Sequence, residues 1–171
     1  MHSIPPALIR PPFLVRLASP IGRLELTAGP AGILSLSIET GGHLPLEEYP
    51  EKPSTVLRKA EQQLGEYFSG TRRAFDLPVV LDAGTEFQRS VWHQLNQLPF
   101  GSNVSYGALG HGIGRPGSGR AIGGAVGANP IPIIVGCHRV LATTGRITGY
   151  SAGEGIATKA WLLDHEGIGH K

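Results

Sequence analysis

The character of the chain changes at Gly84, and that change bounds the folds open to it. Upstream, segments 12–18 (PFLVRLA), 22–28 (GRLELTA) and 33–38 (ILSLSI) alternate apolar and polar residues, the period of half-buried strands. Pro20, Gly22, Gly29 and Pro30 punctuate them. A helix is predicted over 54–69, where Val56, Ala60, Leu64 and Phe68 recur at every fourth position. Residues 76–81 (DLPVVL) read as a short edge strand limited by Pro78. Downstream the period becomes helical. Thr85 and Gln88 have capping-box spacing, and Phe87, Val91, Trp92, Leu95 and Leu98 form an apolar stripe running to Pro99. Shorter helices are predicted over 105–113 and 118–128, joined by Gly-Arg-Pro-Gly; they read as a helix-turn-helix or as any two packed helices. Residues 144–150 suggest a tight turn between extended pieces, and a last helix is expected over 157–165, ended by Glu166 and Gly167. The expectation is an α/β (α+β) chain of two domains. Residues 1–83 would form a small α/β domain with antiparallel strands, and residues 84–171 a mainly helical domain with a helix-turn-helix.

With 25 Gly and 14 Pro in 171 residues and no period to them, this is a globular chain rich in turns. One cysteine excludes an internal disulfide and fits a reducing compartment. The opening MHSIPPALIRPPF is broken by proline pairs and Arg10, so no export signal is expected. No apolar run reaches membrane-spanning length, and the expected location is the cytoplasm. Net charge is only +2, but residues 1–83 carry −1 and residues 84–171 carry +3. No acidic residue stands between Glu86 and Glu154, where Arg89, Arg115, Arg120, Arg139 and Arg146 all fall. Such a stretch is either a buried, glycine-rich segment needing few charges or a surface that must not repel a polyanion.

Residues 118–128 (SGRAIGGAVGA) are nearly all small, and glycine within a helix costs about 1 kcal/mol relative to alanine. Small residues admit a close neighbour, either a packed helix or a DNA backbone, and Arg120 is the one long charged side chain there. Cys137 follows the apolar run Ile133-Ile134-Val135, read as an interior extended segment, and precedes His138. A lone cysteine in such a stretch is a small buried hydrophobe or a nucleophile. A helical turn beginning near it would favour the thiolate through unpaired N–H groups. The imidazole of His138 is a candidate base, to be oriented by a carboxylate; downstream only Glu154, Asp164 and Glu166 offer one. With no paired Cys/His spacing, no metal site is expected.

Taken in order, GTEFQRSVW, SYGAL, GRAIGGAVGANPIPIIVGCHRV, TGRITGYSAG and ATKAWLLDHEG resemble the O6-alkylguanine-DNA alkyltransferases. The match covers about half the chain, and SPIGRLELTAGPAGI resembles the opening hairpin of that family's N-terminal domain. The resemblance implies a DNA repair protein that acts once. It would bind double-stranded DNA through the minor groove, flip out O6-alkylguanine, and pass the alkyl group irreversibly to Cys137. It implies that His138 is a water-mediated base oriented by Glu166, and that Asn129 holds the turn carrying the site. Tyr106 would contact the base and crowd the 3′ phosphate, and Arg120 would fill the vacated stack. The main chain of Cys137 and Val140 would accept from the guanine amine. Tyr150 and Ser151 would line the pocket, with the Ser151 N–H near O6. No cofactor and no zinc are implied, and a cytoplasmic, nucleoid-associated monomer is expected.

The chain departs from the family pattern at several places. Gly136 stands where proline is usual, and the expectation is a looser turn, with slower transfer or a wider pocket. Gly117-Ser118-Gly119 opens the arginine-bearing helix, where fraying would weaken DNA binding. Gly110 replaces an alanine, and the loop YSAGEGIATK is about two residues longer than usual. Two other readings compete with alkyl transfer: a lesion-binding sensor that transfers nothing, and a thiol hydrolase built on Cys137, His138 and Glu166. The hydrolase would need an oxyanion hole and leave Arg120 without a use.

Overall fold

A computed structural model describes residues 13–171. The reading of the opening residues, and Pro12 of the first expected strand, lie outside the described residues. The chain divides between Val80 and Leu81 into two compact units.

In the first unit, β1 (Phe13–Leu17), β2 (Leu24–Gly29) and β3 (Gly32–Ile38) form an antiparallel sheet in the order β1-β2-β3. Register places Val15 opposite Leu26, and Leu26 opposite Leu36, so the alternation seen in sequence becomes one apolar face. Helix α1 (Thr55–Phe68) packs against the three strands. Ser54 caps it by accepting from Leu57 N at 3.3 Å. Its buried stripe is Leu57, Ala60, Gln63, Leu64 and Tyr67, rotated from the expected Val56–Phe68 row, both ends of which are only half-buried. The expected edge strand over 76–81 is a correction. Only Val79 bridges β3, at Ile33, while the backbone of Asp76 is held by the side chain of Gln63. Pro78 has no N–H to extend a ladder.

In the second unit, α2 (Glu86–Leu95) begins with the predicted capping box of Thr85 and Gln88. It buries Val91, Trp92 and Leu95, ending short of the predicted Pro99. Strand β4 (Val104–Ser105) runs straight into α3 (Tyr106–Gly112), a turn follows, and then α4 (Gly119–Gly127). Trp92 Nε1 donates to Ala125 O at 2.8 Å and ties α2 to α4. Gly110 is required by this packing: a Cβ there would lie 2.9 Å from the carbonyl oxygen of Arg115. Strand β5 (Val140–Leu141) pairs in parallel with β4, and α5 (Ile156–His165) closes the unit. The piece before the turn at 142–145 is thus a strand, but none follows it; Ile147 N is held by the Lys171 carbonyl instead. No helix among the described residues is long and apolar enough to cross a membrane.

Candidate active site

Residues 131–140 are all buried, yet they are not the extended segment expected. Ile134 N bonds Pro132 O at 2.9 Å, which closes a γ-turn with Ile133 at φ 73°. A β-branched residue in the left-handed region carries strain of about 1–3 kcal/mol. Gly136, at φ −73° and ψ 57°, centres an inverse γ-turn closed by Cys137 N and Val135 O at 2.8 Å. Asn129 supports these bends from one side. Its Nδ2 donates to Val135 O at 2.9 Å, and its Oδ1 accepts from Ile131 N at 3.0 Å. The apolar side chains anchor the turns in the core, and Asn129 satisfies backbone groups that no ladder reaches.

Cys137 opens a three-residue 3-10 turn, Cys137–Arg139. The expected thiolate-favouring helical turn is therefore a correction: the Cys137 N–H is already spent on Val135, and burial pushes the thiol pKa up. Contacts with Asn129 and Tyr150 and the charge of Lys159 pull the other way without overcoming burial. The resting group is a thiol, and it needs a base.

A candidate base is adjacent. His138 is 0% exposed, and its Nε2 lies 2.6 Å from Glu166 Oε2. Arg139 clasps the same carboxylate, Nε to Oε1 at 2.8 Å and Nη2 to Oε2 at 2.9 Å. Gly101 N adds a bond to Oε1 at 3.0 Å. Burial alone would raise the Glu166 carboxyl, but hydrogen bonds from His138 and Arg139 outweigh it and hold it well below the usual carboxylate range. Burial lowers the His138 pKa against the pull of Glu166, whose charge Arg139 already balances. A carboxylate only accepts, so the neutral imidazole carries its proton on Nε2 and a lone pair on Nδ1. Nδ1 is buried and has no protein partner.

Cys137 sits in the wall of a cavity of about 440 Å³. Tyr106 at the start of α3, Gly119, Gly123 and Gly127 of α4, and Thr148–Ser151 complete much of the lining. The thiol lies 4.0 Å from Tyr150 Oη. Ser151 Oγ donates to Gly127 O at 2.6 Å. The structure thus brings Tyr106, Cys137, Tyr150 and Ser151 to one cavity, with Asn129, His138 and Glu166 behind it. Arg120 lies beside it on the exposed face of α4, next to the lining Gly119, and Val140 follows the 3-10 turn.

Sequence reasoning assigned no role to Arg139 or Lys159. Lys159 is 1% exposed, lines the cavity, and donates from Nζ to Val140 O at 2.7 Å and Gly149 O at 3.2 Å. Burial lowers its pKa while Cys137 raises it. The only sequence signal was its place in the closing motif ATKAWLLDHEG. Gly136 packs closely on Arg139. A Cβ on Gly136 would lie 2.8 Å from Arg139 Nη1 and 3.0 Å from its Cδ. Glycine lets Arg139 lie close enough for Nη1 to reach Leu98 O at 2.7 Å. Among the described residues no group of three or more His, Cys, Asp or Glu side chains is placed to hold a metal ion.

The chain is similar to known proteins. Residues 86–168 match the model of the 6-O-methylguanine DNA methyltransferase DNA binding domain, and residues 16–81 that of its ribonuclease-like domain. The methylated-DNA–protein-cysteine methyltransferase of Salmonella typhimurium is 42% identical over 125 residues, 73% of this chain and 72% of its own. Its counterpart from Methanosarcina acetivorans is 38% identical over 150 residues, 87% of this chain and 94% of its own. Mycobacterium tuberculosis O6-methylguanine methyltransferase superposes with a TM-score of 0.79 at 38% identity, covering 90% of this chain and 92% of the other. The same organism's OGT in complex with DNA gives a TM-score of 0.80 at 38% identity, with the same coverage of 90% and 92%.

Proposed function

The chain belongs to the 6-O-methylguanine DNA methyltransferase family, and from that premise we propose that it repairs O6-alkylguanine in DNA by taking the alkyl group onto Cys137. It is a methylated-DNA–protein-cysteine methyltransferase that acts once. The observation that carries the reading is the buried His138 beside Cys137, with Nε2 on Glu166 and a bare Nδ1.

Double-stranded DNA lies against α3 and α4, its minor groove on the exposed small residues of α4. The smooth face lets the backbone approach, and Arg120 fills the gap left by the extruded base. The base enters the cavity, where Tyr106 contacts it and crowds the 3′ phosphate. The carbonyls of Cys137 and Val140 accept from its amine; the Val140 carbonyl also accepts from Lys159. Tyr150 and Ser151 flank it, with the Ser151 N–H toward O6. A water on His138 Nδ1 relays the thiol proton to the imidazole, and Glu166 steadies the cation formed. The sulfur attacks the alkyl carbon in line with the C–O6 bond. The S–C bond forms as C–O6 breaks, the electron pair stays on the guanine, and the guanine regains one proton. The thioether has no route back, so the protein is consumed. Residues 84–171 carry this chemistry and residues 1–83 support them. The protein works as a cytoplasmic monomer.

Intact-protein mass after incubation with a duplex containing one O6-methylguanine tests the reading. One methyl group should appear on the peptide containing Cys137, and none in Cys137→Ser. Tight, lesion-selective binding with unchanged mass would make the protein a lesion sensor instead.

A further inference from the structure

Tyr106 is the first residue of α3 and half-buried in the cavity wall, and nothing in its own helix fixes its hydroxyl. The group that does is Thr148, whose Oγ1 donates to Tyr106 Oη at 3.0 Å. Because the phenol oxygen accepts this bond, its single proton is left for another acceptor. A hydroxyl that accepts is also polarised into a better donor.

Thr148 is itself held at several points. Ile147 N bonds Lys171 O at 3.2 Å on one side, and Lys159 Nζ bonds Gly149 O at 3.2 Å on the other. Ser151 Oγ ties the far end of the same peptide to α4 through Gly127 O. The β-branched threonine is stiff at χ1. Residues 147–151 therefore form a strap along the cavity that presents one hydroxyl to one phenol. Thr148 is exposed and outside the packed core, which makes a purely structural role a poor account of the contact.

We propose that Thr148 is a positioning residue for alkyl transfer, acting through Tyr106: it fixes the phenol and directs its O–H at an acceptor on the extruded base. The inference rests on the function proposed above. Single-turnover transfer from a methylated duplex tests it, with the maximal first-order rate and the half-saturating duplex concentration read separately. Thr148→Val keeps the shape and removes the donor, and Thr148→Ser keeps the donor. Thr148→Val should slow the maximal rate about threefold to tenfold, the range of one lost hydrogen bond, without changing the melting temperature. Thr148→Ser should stay within about twofold of the wild type. In a Tyr106→Phe background, Thr148→Val should cost nothing further. A Thr148→Val protein as fast as the wild type would overturn the inference alone, as would an equal loss in the Tyr106→Phe background. A wild-type protein that transfers nothing would overturn the function and this inference together.

Discussion

Each unit of the molecule buries one carboxylate against one arginine. In the first, Glu25 is 1% exposed, takes Arg16 Nε at 2.9 Å, and accepts from Leu46 N at 2.9 Å. In the second, Glu166 is 6% exposed, takes Arg139, and accepts from Gly101 N at 3.0 Å. Both carboxylates pin a loop by its backbone, and Arg16 extends the first anchor to the carbonyls of Leu46 and Tyr49. The difference is one side chain. Glu166 also holds an imidazole, and in the mechanism proposed above that addition turns a structural clasp into a device that fixes a tautomer and steadies a transient cation.

The strongest way to break the comparison is to neutralise each carboxylate in turn. Glu166→Gln should slow methyl transfer at least a hundredfold, within the range for losing a positioned base. It should also lower the unfolding free energy by about 3–5 kcal/mol, because Arg139 is left buried without its counter-charge. Glu25→Gln should cost less, about 1–3 kcal/mol, because Arg16 is 19% exposed and keeps the Leu46 and Tyr49 carbonyls, while transfer per folded molecule stays at the wild-type rate. Urea titrations and single-turnover assays on both proteins separate the two. Equal losses of rate would mean that the imidazole adds nothing.

Acid sharpens the contrast at intermediate size. The folded His138 has a pKa below its ordinary value of about 6.5, so the unfolded chain binds a proton that the folded chain refuses. Stability from this group is therefore present above about pH 6.5 and falls beneath it, by at most about 1.4 kcal/mol per pH unit. Glu166, held low in the fold, adds a second decline below about pH 4.3. Transfer by the folded protein should persist through that range, because its imidazole stays neutral, and fade only below the lowered folded pKa, where a protonated imidazole accepts nothing. In His138→Gln the stability loss between pH 7 and pH 5 should shrink, as urea midpoints at the two pH values would reveal.

The smallest effect belongs to Gly136. Gly136→Ala pushes a Cβ against Arg139 and should cost its bond to Leu98 O, about 1 kcal/mol in urea, with a slight slowing of transfer. An unchanged midpoint would mean that Arg139 shifts freely and that Glu166 alone organises the clasp.

Much of this was legible in the sequence where a period or a cap exists. The strands around Leu26, the capping box at Thr85 and Gln88, and the paired helices α3 and α4 all follow from local patterns. Strand β4 did not, because two residues have no period. Ile133-Ile134-Val135 misled for a related reason. A short apolar run reads as a buried strand, whereas its backbone is bent by bonds two residues apart that leave no mark on hydropathy. The pairing of His138 with Glu166 was legible through the motifs. The burial of Lys159 was not, since a charged residue on a helix ordinarily reads as solvated.

The clasp at Glu166 also sets an order of assembly. It joins the Gly101 backbone, the His138-Arg139 pair and the cap of the last helix, so its farthest partner lies 65 residues away in sequence. During synthesis Cys137 is joined to the chain before Glu166 is. Until then the histidine has no tautomer imposed on it and the arginine no counter-ion. In the mechanism proposed above, docking of the last helix would work as an interlock: the acceptor is armed only once Glu166 has closed the clasp.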